Sequence, residues 1–237
     1  MKIYYDFHIH SCLSPCSSDD MTPNNIVGMS VLKGLDAIAI TDHNSCLNVG
    51  AVLQCAKEFP LIVLPGMELE TREEVHMLCL FEKLDDLLVF YQQVKKKMPS
   101  IKNRKDIFGD QNVMDHEDQV IAQEEDLLIA ACDISMDEAV LLCRNLGGVI
   151  IPAHIDREAN SMITNLGFIS PDYHFSCLEL SNRITEEEML QKQLDLKNYR
   201  FIHNSDAHML ENIAERNHYM EVDEKNPASI LRLLKKY

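Results

Sequence analysis

Short apolar runs alternate with stretches of helical periodicity along almost the whole chain, and this alternation constrains the fold more than any other feature. Runs such as LDAIAIT (35–41), LIVLPG (61–66) and VHMLCLF (75–81) are short and continuously apolar, so they read as strands buried on both faces. Strands of that kind separated by helices specify βα units around a mostly parallel sheet. The expected strands are 3–9, 35–41, 61–66, 75–81, 149–151, 177–181, 201–204 and 218–222. Helices are expected near 26–33, 47–59, 84–97 and 136–146, with a last one opened by Asn226-Pro227. Thr22-Pro23 places a capping hydroxyl before a proline, and Thr185 with Glu188 matches a capping box. Residues 99–134 are polar and acidic, break the rhythm, and read as an inserted segment within a single domain spanning 1–237. That segment is either a lid, with Lys102, Arg104 and Lys105 meeting a substrate's phosphate or leaving group, or a solvated loop whose cations balance nearby acids.

Charge narrows the partners. Twenty-two basic residues against 38 acidic ones leave a formal charge of −16. A field of that sign opposes an extended nucleic-acid footprint and an anionic membrane surface. A small phosphorylated substrate stays compatible, because bound divalent ions invert the sign locally. The opening MKIYYDFHIHSCLS has no signal-peptide core and no run approaches the length of a membrane span, so a cytoplasmic location without membrane attachment is expected. The eight cysteines fall mostly inside apolar patterns and read as reduced thiols.

The chemistry lies where His, Asp and Glu fall relative to the strands. His8 and His10 flank Ile9 at the end of the first strand, and residues two apart on a strand share a face. Asp42-His43 follow the second strand, Glu68 and Glu70 the third, His154 the run VIIPA, and Asp206 and His208 the run FIHNS, while His76 sits in the fourth strand. Parallel strands present their C-terminal ends on one rim, so these groups converge there. Taken singly each has an ordinary explanation as a cap or a loop residue; jointly, neutral imidazoles and carboxylates are the donors a divalent metal site needs. His116, His174, His203 and His218 fall outside the pattern.

The segments DFHIHS (6–11), ITDHN (40–44), PGME (65–68), HML (76–78), PAH (152–154) and SDAH (205–208) resemble, in order, the motifs of the PHP (polymerase and histidinol phosphatase) domain, a family of metal-dependent phosphoesterases. The resemblance implies an α/β fold: a distorted (β/α)7 TIM-like barrel, here with an insertion between the fourth and fifth βα units. It also implies three divalent metal ions, Zn, Mn or Fe, at the C-terminal face. By position one ion takes His8, His10 and Asp206 with Glu68 as a bridge, a second takes Glu68, His76 and His154, and a third takes His43, His208 and an acid after the first motif. In HSCLSPCSSDDMTP that acid arrives late, making Asp19 the expected ligand and Asp20 the reserve. Cys12 and Cys16 in the same loop read as bystanders. The implied activity is hydrolysis of a small phosphomonoester or nucleotide by a metal-activated hydroxide, with Glu68, Asp206 and His208 as catalytic positions. Arg157 and Arg183 are candidate phosphate clamps. An exonuclease acting on short oligonucleotides is the alternative enzyme, and a degenerate PHP module with a structural role is the non-enzymatic one. Amidohydrolase barrels also open with H-x-H, but bridge their metals through a carboxylated lysine where this chain has Glu68.

Overall fold

A computed structural model describes residues 1–236. In chain order the elements are β1 (Lys2–Ile9), α1 (Pro23–Leu32), β2 (Ala37–Ile40), α2 (Val49–Cys55), β3 (Ile62–Glu70), β4 (His76–Leu80), α3 (Leu84–Lys95), α4 (Lys105–Phe108), β5 (Asn112–Met114) and β6 (Val120–Gln123). They continue with α5 (Met136–Asn145), β7 (Val149–Pro152), α6 (Met162–Leu166), β8 (Cys177–Leu180), α7 (Glu186–Lys192), β9 (Arg200–His203), β10 (Tyr219–Glu221) and α8 (Pro227–Leu234). The caps legible in the sequence are present: Thr22 accepts from the Asn25 amide, Asn226 from the Ser229 amide, and Thr185 and Glu188 close a capping box. Ser135 and Glu138 close another at the start of α5.

The fold is mixed α/β around a curled six-stranded sheet of order β10-β1-β2-β3-β4-β7, with β8 and β9 as a separate parallel pair. Backbone contacts draw that pair to both flanks of the sheet. The Ile155 amide beyond β7 donates to the Glu179 carbonyl of β8 at 2.9 Å, and Ala207 beyond β9 bridges to Ile9 of β1.

Two expectations need correction. The third strand does not end at residue 66: β3 runs through Glu70, because residues 66–70 pair antiparallel with β4, Glu68 opposite Leu78 and Glu70 opposite His76. The sheet is also less parallel than the alternation suggested, since β4 runs against both β3 and β7. The cause is the short link 71–75, which allows a hairpin but not a helical crossover. His76 therefore reaches the functional rim from the beginning of its strand rather than its end.

Alternation along the strands sorts side chains between two clusters. Ile38, Ile40, Val63, Met67, Met77, Cys79 and Ile150 pack under α1, α2, α3 and α5. Ile3, Tyr5, Phe7, Ala39, Leu64, Leu78, Ile151, Cys177 and Ile202 fill the concave face, closed from below by Ile230, Leu231 and Leu234 of α8. Full burial of a residue such as Phe7 or Leu64 contributes about 1.5–3 kcal/mol, so the concave floor is both watertight and stabilising. In β1 the register shifts between Asp6 and Ile9, so Ile9 joins the outer cluster although Ile3, Tyr5 and Phe7 line the inner one. That irregularity turns His8 and His10 to the inside, the re-aiming that bulges perform beside active sites. Close backbone approach explains Gly66: a Cβ there would lie 2.9 Å from the Ile40 carbonyl, two residues before Glu68.

The segment 99–134 holds α4 and the hairpin β5–β6, and it packs on the loop after β1 through Leu13, Val113 and Leu128. Asn48 fastens it, donating to the Asn112 carbonyl at 3.0 Å and accepting from the Met114 amide at 2.8 Å. Its three cations face acids of the same segment: Lys102 pairs with Glu125 and Asp126, Arg104 with Asp106, and Lys105 with Asp110. These exposed pairs are worth little each, and they answer the charge cluster locally. Changing all three to Ala should leave KM within about twofold of wild type; a several-fold rise in steady-state KM would restore the lid with a phosphate contact.

Candidate metal centre

At the rim of the concave face the apolar floor gives way to a dense set of buried polar groups. Glu68, on the inward parity of β3, is only 1% exposed. Its Oε1 lies 2.9 Å from His76 Nδ1, 3.2 Å from His154 Nε2 and 3.2 Å from His8 Nε2. Its Oε2 lies 3.0 Å from His43 Nδ1 and 3.4 Å from His10 Nε2. Asp206 Oδ1 is 3.2 Å from His8 Nε2 and 3.1 Å from His10 Nε2. Three overlapping groups have spacing that could hold an ion: His8, His10, Glu68 and Asp206; His43, Glu68 and His76; and His10, His43 and His208.

The residues fit a divalent cation better than they fit one another. Glu68 Oε2, Asp206 Oδ1 and His43 Nδ1 are buried without a hydrogen-bond partner despite ring nitrogens close by. The two imidazole nitrogens His8 Nε2 and His10 Nε2 face each other at 3.1 Å. Donors bound at about 2.0–2.2 Å around a tetrahedral ion stand roughly 3.3 Å apart, which is close to the spacing found. Orphaned buried polar atoms are expensive unless a ligand completes them.

Burial and neighbours pull the titrations in opposite directions. Burial would raise the Glu68 carboxyl, but His76, His8 and His43 hold it well below the usual carboxylate range. Burial acts the same way on Asp206, where His8 and His10 win and keep it ionised. His208, stacked on His10 with ring centroids 4.1 Å apart, is pushed down to about 3 by burial and by His10, so it is a neutral donor.

Several of the candidate ligands are in turn oriented. His8 Nδ1 faces both oxygens of Glu179 at 3.0 and 3.1 Å, and Glu179 also accepts from the His154 amide and Asn204. His10 Nδ1 donates to Ser14 Oγ at 2.9 Å, whose hydroxyl donates to Asp42. Asp6 receives the Ser205 and Ala214 amides, fixing the loop that carries Asp206 and His208. His154 and Asp206 both sit at positive φ, 28° and 51°, strain that a catalytic rim commonly stores. Glu179 escaped the sequence reading, although a lone acid on the inward parity of CLELS was the available signal. Glu179→Gln should weaken metal affinity by about 10–100-fold with the circular dichroism spectrum unchanged, as titration of the metal-free protein would read; unchanged affinity would remove Glu179 from the site.

Of the expected site residues, His8, His10, His43, Glu68, His76, His154, Asp206 and His208 converge. Asp19 does not: it is exposed, as is Asp20, and neither enters the three groups. Cys12 is buried against the Asn112 carbonyl with its thiol pushed up to about 12 by burial, unsuited to ligation. Arg157 and Arg183 line one cavity of about 990 Å³ together with His76, His154, Asn160 and Lys192. Arg157 Nη1 also lies 2.6 Å from Asp206 Oδ2, so it touches a candidate ligand directly.

A curled α/β sheet whose rim gathers imidazoles and carboxylates at this spacing defines a candidate metal-binding domain. The chain belongs to the PHP domain family, whose model matches residues 6–150. Members of that family are metal-dependent phosphoesterases and nucleases. The match stops before His154, Asp206 and His208, which the fold then brings to the same rim. No curated protein matches the sequence. Among solved structures the chain is similar to the lesion-specific endonuclease Q of Pyrococcus furiosus, with TM-score 0.73 and 21% identity over 99% of this chain and 56% of that one. Another endonuclease Q structure, solved with a 27-mer duplex carrying an abasic lesion, matches at TM-score 0.69 and 19% identity over 99% and 57%. A Bifidobacterium adolescentis protein assigned as a metal-dependent phosphoesterase matches at TM-score 0.62 and 16% identity over 96% of both chains. The chain thus spans little more than half the length of the endonucleases. Among the described residues no helix is long and apolar enough to cross a membrane.

Proposed function

We propose that this chain is a phosphoric ester hydrolase acting on a small phosphorylated substrate. The observation that carries the reading is a buried carboxylate, Glu68, facing five imidazole nitrogens, with His76 and His154 of that set opening onto the cavity that Arg157 and Arg183 line. Divalent ions, when bound there, supply an activated water and charge neutralisation at the phosphoryl oxygens. Glu68 and Asp206 bring negative charge to hold them, and the histidines bring neutral donors. Arg157 lines the cavity half-buried, with its Nε lacking a hydrogen-bond partner, while Arg183 on the same lining is exposed. Substrate orientation falls to these two guanidinium groups, whose planar forks match a phosphate. The formal charge of −16 favours a compact substrate over a long duplex.

A second reading, cleavage of lesion-bearing DNA, is favoured by the likeness to endonuclease Q. One experiment separates the two. The metal-reconstituted protein is given 4-nitrophenyl phosphate, bis(4-nitrophenyl) phosphate and a duplex with one abasic site. Hydrolysis of the monoester without nicking supports the first reading; nicking without monoester hydrolysis replaces it by the second.

A further inference from the structure

The family resemblance implies three ions, whereas the donors assembled here suit two. We propose that the chain retains two divalent ions that share Glu68, and that the third position, beside His43 and His208, lacks the ligands to keep one; the inference rests on the metal-dependent reading above.

Counting donor atoms leads there. His10 Nδ1 is taken by Ser14 Oγ at 2.9 Å, so His10 offers only Nε2. That nitrogen lies 3.1 Å from both His8 Nε2 and Asp206 Oδ1, which commits it to the first group. His43 Nδ1, 3.0 Å from Glu68 Oε2, belongs with Glu68 and His76 in the second, where His154 Nε2 meets the same carboxylate. His208 Nδ1 faces the Asp206 carbonyl at 2.9 Å and leaves Nε2 alone. A third ion would therefore find His208 Nε2, the far nitrogen of His43, and no carboxylate.

Charge points the same way. Glu68 and Asp206 are the only carboxylates in the three groups among the described residues. Two dications on two carboxylates leave a local charge of about +2, and three would leave about +4, with the Arg157 guanidinium already 2.6 Å from Asp206. The acid that would offset a third ion is Asp19. The turn bearing it is tied down by the Ser18 amide on the His208 carbonyl at 2.9 Å and the Met21 amide on the Ser18 carbonyl at 3.0 Å, yet Asp19 itself faces solvent.

The test counts metal directly and needs no substrate. Metal-free protein is loaded with excess Zn²⁺, freed of loose ions by gel filtration and assayed by elemental analysis. Two equivalents per chain are expected for wild type, Asp19→Ala and His208→Ala alike; the exposed Asp19 makes the first variant safe for folding. Three equivalents in wild type, falling to two in either variant, would overturn the proposal, as would a single equivalent. No retained metal in wild type would instead sink the metal-dependent reading itself.

Discussion

Glu68→Gln should leave the chain with less than one equivalent of tightly held metal and cut phosphate-ester hydrolysis by about a thousandfold or more. Both oxygens of Glu68 face ring nitrogens, so it is placed to serve two candidate groups at once, and it brings them a negative charge that no histidine supplies. An amide keeps one oxygen, loses the charge, and turns an NH₂ donor toward imidazoles that need an acceptor. The control is Glu70→Gln on the next inward position of β3. Glu70 is also buried, but its nearest ring nitrogen, His76 Nε2, is 3.8 Å away. Its metal content should match wild type by elemental analysis. Identical behaviour of the two variants would show that the bridging position had been misassigned.

The side chains that converge at the rim were legible in the sequence because strand chemistry is simple. A buried strand leaves little room for polar side chains, so a His or Glu at its rim stands out against Val, Ile and Leu, and six such rims in order specify one site. What escaped was set by pairing rather than pattern. Residues 66–70 look like the end of a strand and a loop, but a partner exists for them only once 71–75 turns back on itself as a hairpin. The shift in β1 that carries Ile9 to one face and His8 and His10 to the other has no signature in DFHIHS, which would alternate just as well without it. Glu179 was hidden for a related reason. Its partner His8 lies 171 residues away, and a lone acid in a strand has no local motif. The late acid after the first motif, Asp19, illustrates the converse: spacing brought it near the site in sequence, and the turn 18–21 then directed it to solvent. The basic residues of 99–134 likewise had charge without direction until their acidic neighbours were placed.

Removing the metal should abolish hydrolysis and lower the melting temperature by on the order of 10 °C, since ligand present at a thousandfold over its Kd stabilises by about 4 kcal/mol and each kcal/mol shifts a domain of this size by roughly 2–4 °C. Protons take over part of the metal's role in the stripped protein. Burial works against protonation of His76, but Glu68 prevails and pushes it up to about 10, so this imidazole carries a proton at neutral pH when no ion is bound. His8 behaves alike: burial opposes its charge, while Asp206, Glu179 and Glu68 raise it. A metal must displace those protons, so its affinity should weaken as the pH falls from about 8 to about 6, roughly tenfold per pH unit for each proton released. Calorimetric titration of the stripped protein in buffers of different ionisation enthalpy reads the proton count, and repeating it across that range reads the slope. An affinity indifferent to pH would mean that the imidazoles are not the ligands. Hydrolysis surviving complete removal, verified by elemental analysis, would mean that the carboxylates and guanidinium groups of the rim act without an ion.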